Sequence, residues 1–472
     1  MTFATGRLRK YFAPMDMTEG NSLRQIVRFS IPLLIGNFAQ QMYSTVDAIV
    51  VGNYIGDSAL GAVGLSFSPI MLIFALFIGI STGAGITVSQ YFGAKDRQML
   101  GKAVGTVIVL AFVSGGICTL LGVSVARPLL VLLGSPPEML DMAATYLTIY
   151  FGGVISLVYF NILSGVLRGM GDSISPLLYL LFASVLNIAL DILFVTQFGM
   201  KTDGVALATV IAQTFAALLA FRKLRRMTEV VDVKRSDLKL NRGIAGKIIR
   251  LGLPLGAMQM VGSMQAVLIQ ALVNSMGSLV VTTITAVMRV DGFIMMTNFS
   301  FATAATTFTA QNFGAKKLAR IRKGHRDMLK IALTSSLILV TGIVLFGRQL
   351  MELFTSTDAV AASGARFFRI LAAGYVAFAV LQTFVGAMNG MSQTTIPMIM
   401  SIIATMGVRL PLAYLIAYLM RSAAWPNGNP DAIFISLLIA WVFNATVTGL
   451  IYHFGRWRKR VETRVLSEGV GL

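Results

Sequence analysis

Residues 90–96 read QYFGAKD and residues 311–317 read QNFGAKK, five identities in seven at an offset of 221. The same offset carries Gly165, Gly169, Met170 and Pro176 onto Gly386, Gly390, Met391 and Pro397. Pro32 pairs with Pro254 at an offset of 222, so one residue has been gained or lost in between. Both halves are almost entirely apolar. A duplicated apolar unit in a chain of 472 residues is the pattern of a secondary transporter built from two repeats.

Composition points the same way. Hydrophobic residues make up 56% of the chain and charged residues 12%, with a mean hydropathy of +0.77. A water-soluble domain carries about 25% charged residues. Apolar segments of roughly 20 residues, the length that crosses a hydrocarbon core, recur at 29–51, 64–90, 104–126, 144–167, 175–198 and 204–221. A second set runs 251–275, 282–309, 331–347, 365–388, 396–419 and 432–454. The expected fold is therefore all-α and integral to the membrane. Twelve transmembrane helices form two six-helix lobes, related by a pseudo-two-fold along the membrane normal. The division expected is a cytoplasmic N-terminal segment at 1–28, an N-lobe at 29–221, a linker at 222–250, a C-lobe at 251–454 and a cytoplasmic tail at 455–472. The polar opening carries no pattern of a removable signal peptide, so the first helix is expected to act as an uncleaved insertion signal.

The net charge of +19 does not require nucleic acid. Most Lys and Arg fall in loops on one side, including the whole 222–250 stretch, which is the positive-inside pattern. Both termini are then cytoplasmic in a bacterial inner (plasma) membrane, with the basic clusters against anionic lipid. The stretch before Leu251, ending GKIIR, reads as an amphipathic lead-in, with 23–29 as its counterpart. Cys118 lies inside a predicted helix and reads as buried filler. His325 and His453 sit near helix ends, where a solvated role is expected. The glycines at 83 and 85 lack a strand-turn-helix setting and read as close helix packing. No phosphate-binding loop, nucleophile–base set or metal-ligand cluster is present, so neither an enzyme nor a cofactor is expected.

Ionisable residues within the helices are costly and tend to be functional. Asp47 in helix 1, Asp191 in helix 5 and Thr209 in helix 6 all lie about five to seven residues from the outer surface, roughly 7–10 Å at the helical rise. Asn187 is one turn from Asp191 on the same face. Two carboxylates in a poorly solvated site cannot both ionise cheaply, so such a pair holds a proton or binds a small cation. The same acids near helix ends are also compatible with a merely wet interfacial position. Asp291 is expected to pair with Arg289 or to face a wet vestibule. The second lobe does not repeat the acids, since Val408 and Leu412 stand opposite Asn187 and Asp191. Its candidate wall is Met258, Met264 and Gln265, with Gln40 and Tyr43 from the first helix and Asp291 added as substrate-cavity candidates. Helix packing alone also accounts for the methionines.

IPLLIGNFAQQMYSTVDAIVVGNYIG at 31–56, the paired FGAK motifs, LRGMGDSISP at 167–176 and NIALDILFV at 187–195 together resemble the multidrug and toxic compound extrusion (MATE) family. The resemblance covers 20–455. It implies two six-helix lobes, a cavity alternating between membrane faces, and export of small amphipathic or cationic organic compounds in exchange for protons or sodium ions. Within the family, the DinF-like branch is similar in carrying an Asp in a VDxxxxG segment, an Asn and Asp four apart, and a Thr. These fall on Asp47, Asn187, Asp191 and Thr209, with the proton preferred and the same four residues binding the metal if sodium is the coupling ion. The acids that NorM-like members carry in helices 7 and 10 are missing here. A monomer is expected, with membrane lipid and the exported compound as partners and no nucleic acid. The alternative reading is a lipid-linked precursor flippase on a related fold.

Overall fold

The computed structural model describes residues 14–467 except 229, 232 and 356. Residues 1–13 of the N-terminal segment and 468–472 of the tail lie outside the described residues. Every regular element described is helical. The first repeat runs α1 (Ser22–Tyr54), α2 (Asp57–Gly93), α3 (Arg97–Leu132), α4 (Pro137–Gly152), α5 (Val154–Gly169), α6 (Ile174–Thr196) and α7 (Thr202–Arg226). A short 3-10 turn at Arg235–Asp237 follows. The second repeat runs α8 (Arg242–Ser275), α9 (Ser278–Gly314), α10 (Leu318–Glu352), α11 (Asp358–Gly390), α12 (Thr395–Ile402), a π-helical stretch at Ile403–Arg409, α13 (Leu410–Leu419) and α14 (Asp431–Phe454). A final amphipathic helix, α15, covers Arg456–Ser467.

Among the described residues, ten helical spans are long and apolar enough to cross a membrane, and the bent pair α4–α5, taken as one span, makes an eleventh. The polar-studded α1, 33 residues long, is the remaining long element, so the expected twelve are all helical. The expected span 144–167 is a bent pair in the structure. It turns by 50° at Gly153, where a Cβ would meet Val210 Cγ1 at 2.2 Å. Its repeat partner Gly374 sits inside the unbroken α11. The expected span 396–419 is interrupted by the π-helical stretch.

The chain divides into two compact units. One holds Ile31–Gly256 and the other Thr18–Ser30 with Ala257–Gly471. Each long leading helix is shared between the units, with the changeover near Pro32 in α1 and near Pro254 in α8. Both lead-ins begin on an asparagine cap: Asn21 Oδ1 accepts from Arg24 N at 3.1 Å and Asn241 Oδ1 from Gly243 N at 3.0 Å.

The repeated motifs make the same contacts in both units. A Cβ at Gly165 would stand 2.8 Å from Ser81 O, and one at Gly386 would stand 2.8 Å from Ala302 O. Gly169 meets Gly85 O at 2.7 Å and Gly390 meets Thr306 O at 2.8 Å. Each of these contacts in the second unit lies 221 residues after its counterpart. Small residues let α5 lie on α2, and α11 on α9, backbone to backbone. The FGAK turns agree too, since Lys95 and Lys316 both adopt a left-handed φ of 58°. Gly83, expected to serve packing, lies so close to α8 that a Cβ there would stand 2.6 Å from Ile248 O.

Two sequence expectations need correction. His325 is buried, not solvated, because α10 lays it between the rings of Phe384 and Tyr452 at 5.0 and 4.6 Å. Asp291 does not pair with Arg289. Two residues apart on a helix face different ways, so Arg289 is exposed while Asp291 turns to Tyr375 on α11 and Arg409 in the π-helical stretch.

Candidate functional site

Three helices of the first unit supply the acidic cluster. α1 carries Tyr43 and Asp47, one turn apart; α6 carries Asn187 and Asp191; α7 carries Thr209. α6 and α7 pack along each other, which brings the last two sets together. Asn187 and Asp191 are wholly buried and Thr209 nearly so. Asn187 Nδ2 donates to Thr209 Oγ1 at 3.3 Å, and the Tyr43 hydroxyl shares the same oxygen at 3.4 Å.

The carboxyl groups of Asp47 and Asp191 face each other within hydrogen-bonding reach. Asp47 Oδ1, Asn187 Oδ1 and both Asp191 oxygens are buried with no protein donor. A buried acceptor left unpaired is costly, and a buried charge more so. Buried acceptors of this kind call for a partner from outside the protein, such as a proton, a cation or ordered water. All four residues singled out by depth therefore meet.

Two further residues belong here that the sequence reading missed. Tyr146 and Tyr150 on α4 stack at 6.0 Å and stand in the electrostatic field of Asp47. They lie in the first turns of the fourth predicted span, at about the depth of the acids, so the same depth argument would have found them.

Of the cavity candidates, Gln40 lines a polar cleft in this unit, beside Asn37, Asn161, Arg168 and Gln213. Tyr43 joins the acid cluster. In the second unit Gln265 is buried, Met258 is half-buried and Met264 is 61% exposed. Asp291 lies with Tyr375 and Arg409, and each of these three has one buried polar atom without a partner.

With this geometry in view, the comparisons with known proteins are decisive. A family model described as MatE matches residues 32–193 and again 254–415. The chain belongs to the MATE family. The two matches start at Pro32 and Pro254, the pair that marks the duplication. "Probable multidrug resistance protein YpnP" of Bacillus subtilis (strain 168) is 29% identical over 450 residues, covering 94% of this chain and 97% of that one. "Multidrug export protein MepA" of Staphylococcus saprophyticus is 23% identical, covering 97% and 98%. A solved structure described as the outward-facing conformation of a multidrug resistance MATE family transporter of the MOP superfamily superposes with a TM-score of 0.85. It is 25% identical and covers 95% of this chain and 98% of the other. As a MATE protein the chain is multi-pass and ion-coupled.

Proposed function

We propose that this MATE protein is a multidrug efflux antiporter that expels small amphipathic, chiefly cationic compounds. Its first bundle binds the coupling ion at Asp47, Asn187, Asp191 and Thr209. The reading rests on one observation: Asp47 and Asp191 face each other with buried oxygens that no protein donor reaches. The descriptions of the relatives as multidrug resistance and export proteins support the substrate class.

The proton is the better fit. Thr209 Oγ1 is already engaged by Asn187 and Tyr43, whereas a sodium ion needs a full shell of free oxygens. One proton between the two carboxyls satisfies the pair without disturbing that network. A charge crossing 100 mV supplies about 2.3 kcal/mol and one pH unit about 1.4 kcal/mol, enough together to sustain a concentration ratio of several hundred per ion. The pattern of Asp47, Asn187, Asp191 and Thr209 favours the DinF-like branch, and the basic loops favour cytoplasmic termini in an inner membrane.

The test is ethidium transport in proteoliposomes under an imposed pH gradient, then an imposed sodium gradient. Movement under the pH gradient alone is expected. Transport driven by sodium alone, or unchanged in Asp191→Asn, overturns the assignment.

A further inference from the structure

One cation of the first unit has no counter-charge. Arg168 ends α5, and its natural partner four residues on, Asp172, is taken elsewhere. Asp172 Oδ1 accepts from Ser175 N at 2.9 Å, Oδ2 accepts from Ser175 Oγ at 2.6 Å, and Lys223 Nζ stands 3.8 Å away. No ion pair or side-chain hydrogen bond holds Arg168 among the described residues. Its repeat counterpart is the neutral Asn389, so duplication alone does not require the charge.

Arg168 instead lines the cleft that Gln40 also lines, a space of about 80 Å³, room for several water molecules. On α5 the lining residues are Leu157, Phe160, Asn161, Ser164 and Arg168, one helical stripe. No acidic residue lines it. Two of its polar groups are buried without partners: the Ser164 hydroxyl, which has an O–H to give, and Gln213 Oε1, which needs a donor. Gln213 lies one turn from Thr209 on α7, and Gln40 less than one turn from Tyr43 on α1. The cleft thus continues the polar track of the acid cluster toward the α5 terminus.

We propose that the cleft is an anion subsite: Arg168 and Ser164 take the carboxylate, sulfonate or phosphate of an amphiphile, and Leu33, Leu157 and Phe160 cover its apolar body. Gln213 accepts from an N–H or O–H of the same molecule. The exported compounds then include anionic and zwitterionic amphiphiles, an extension that rests on the first bundle being the substrate-handling half. A phospholipid phosphate shares the same chemistry.

The test is equilibrium binding of 11-(dansylamino)undecanoate and of its methyl ester to the purified full chain in phosphatidylcholine nanodiscs. The two probes differ only in the anionic group. The acid is expected to bind about tenfold more tightly than the ester. That preference is expected to vanish in Arg168→Gln and to return in part in Arg168→Lys. Gly36→Val narrows the cleft without altering charge, because a Cβ there already stands 3.6 Å from Leu177 Cδ1; both probes should weaken. Equal binding of acid and ester, an acid preference that survives Arg168→Gln, or binding of both probes left undiminished by Gly36→Val, overturns the proposal. Nanodiscs containing phosphatidylglycerol separate the two sources: competition with the acid makes a lipid headgroup the occupant, and no competition leaves the soluble amphiphile. Binding needs no gradient, so loss of transport in Asp47→Asn with acid preference intact counts against neither the subsite nor its ligand class.

Discussion

Asn187 gives its amide N–H to the Thr209 hydroxyl at 3.3 Å, and this one bond orients its carbonyl oxygen away from Thr209, unpaired and buried. The amide thus keeps an unengaged acceptor oxygen one turn from Asp191. On the proposed function, Thr209 acts through Asn187 as a positioning residue.

Thr209→Val tests that role. It strands the Asn187 amide and removes an acceptor shared with Tyr43, so stability is expected to fall by about 1–3 kcal/mol. Thr209→Ser should stay near wild type. Thermal unfolding in detergent reads the difference.

Asp47→Asn and Asp191→Asn are each expected to reduce gradient-driven dye efflux by about tenfold or more. The double variant should be no worse than the worse single one, because residues acting as a unit are not additive. Efflux from energised vesicles, with a protonophore control, makes the measurement. Additive losses would mean that the two acids work separately.

Gly165→Ala and Gly386→Ala are expected to destabilise their own bundles equally, by about 1–3 kcal/mol. Each new methyl group would lie 2.8 Å from a backbone carbonyl oxygen, which cannot swing aside as a side chain can. Matched falls in unfolding temperature are the expected result. A harmless change at either site would show that its helix pair has slack.

In the second unit, Arg409→Leu is expected to cost about 1–3 kcal/mol by removing a positive charge that acts on Asp291. Adding Asp291→Asn should recover much of that loss. A double-mutant cycle on thermal stability measures the coupling. Additive effects would show that Asp291 and Arg409 do not feel each other.

Asp172→Ala removes the acceptor that starts α6, and a lost N-terminal cap costs about 1 kcal/mol. Asp172→Asn keeps an oxygen for Ser175 N and should lose less. Chemical or thermal unfolding of the two variants ranks them.

Sequence alone determined the class and the duplication, and singled out the acids of the first repeat. Apolar length sets what crosses a membrane, and rise per residue sets how deep a side chain lies. Both are properties of one helix by itself, so Asp47, Asn187, Asp191 and Thr209 were legible at a common level. What lay beyond reach was rotation about the helix axis and the identity of the neighbour. Only packing turned Asp291 toward Arg409 instead of Arg289, put His325 between aromatic rings, and drew Asp172 to Lys223 and Ser175, leaving Arg168 facing a cleft. A polar atom's partner is chosen by whichever helix lies against it, and that choice exists only once the helices have packed.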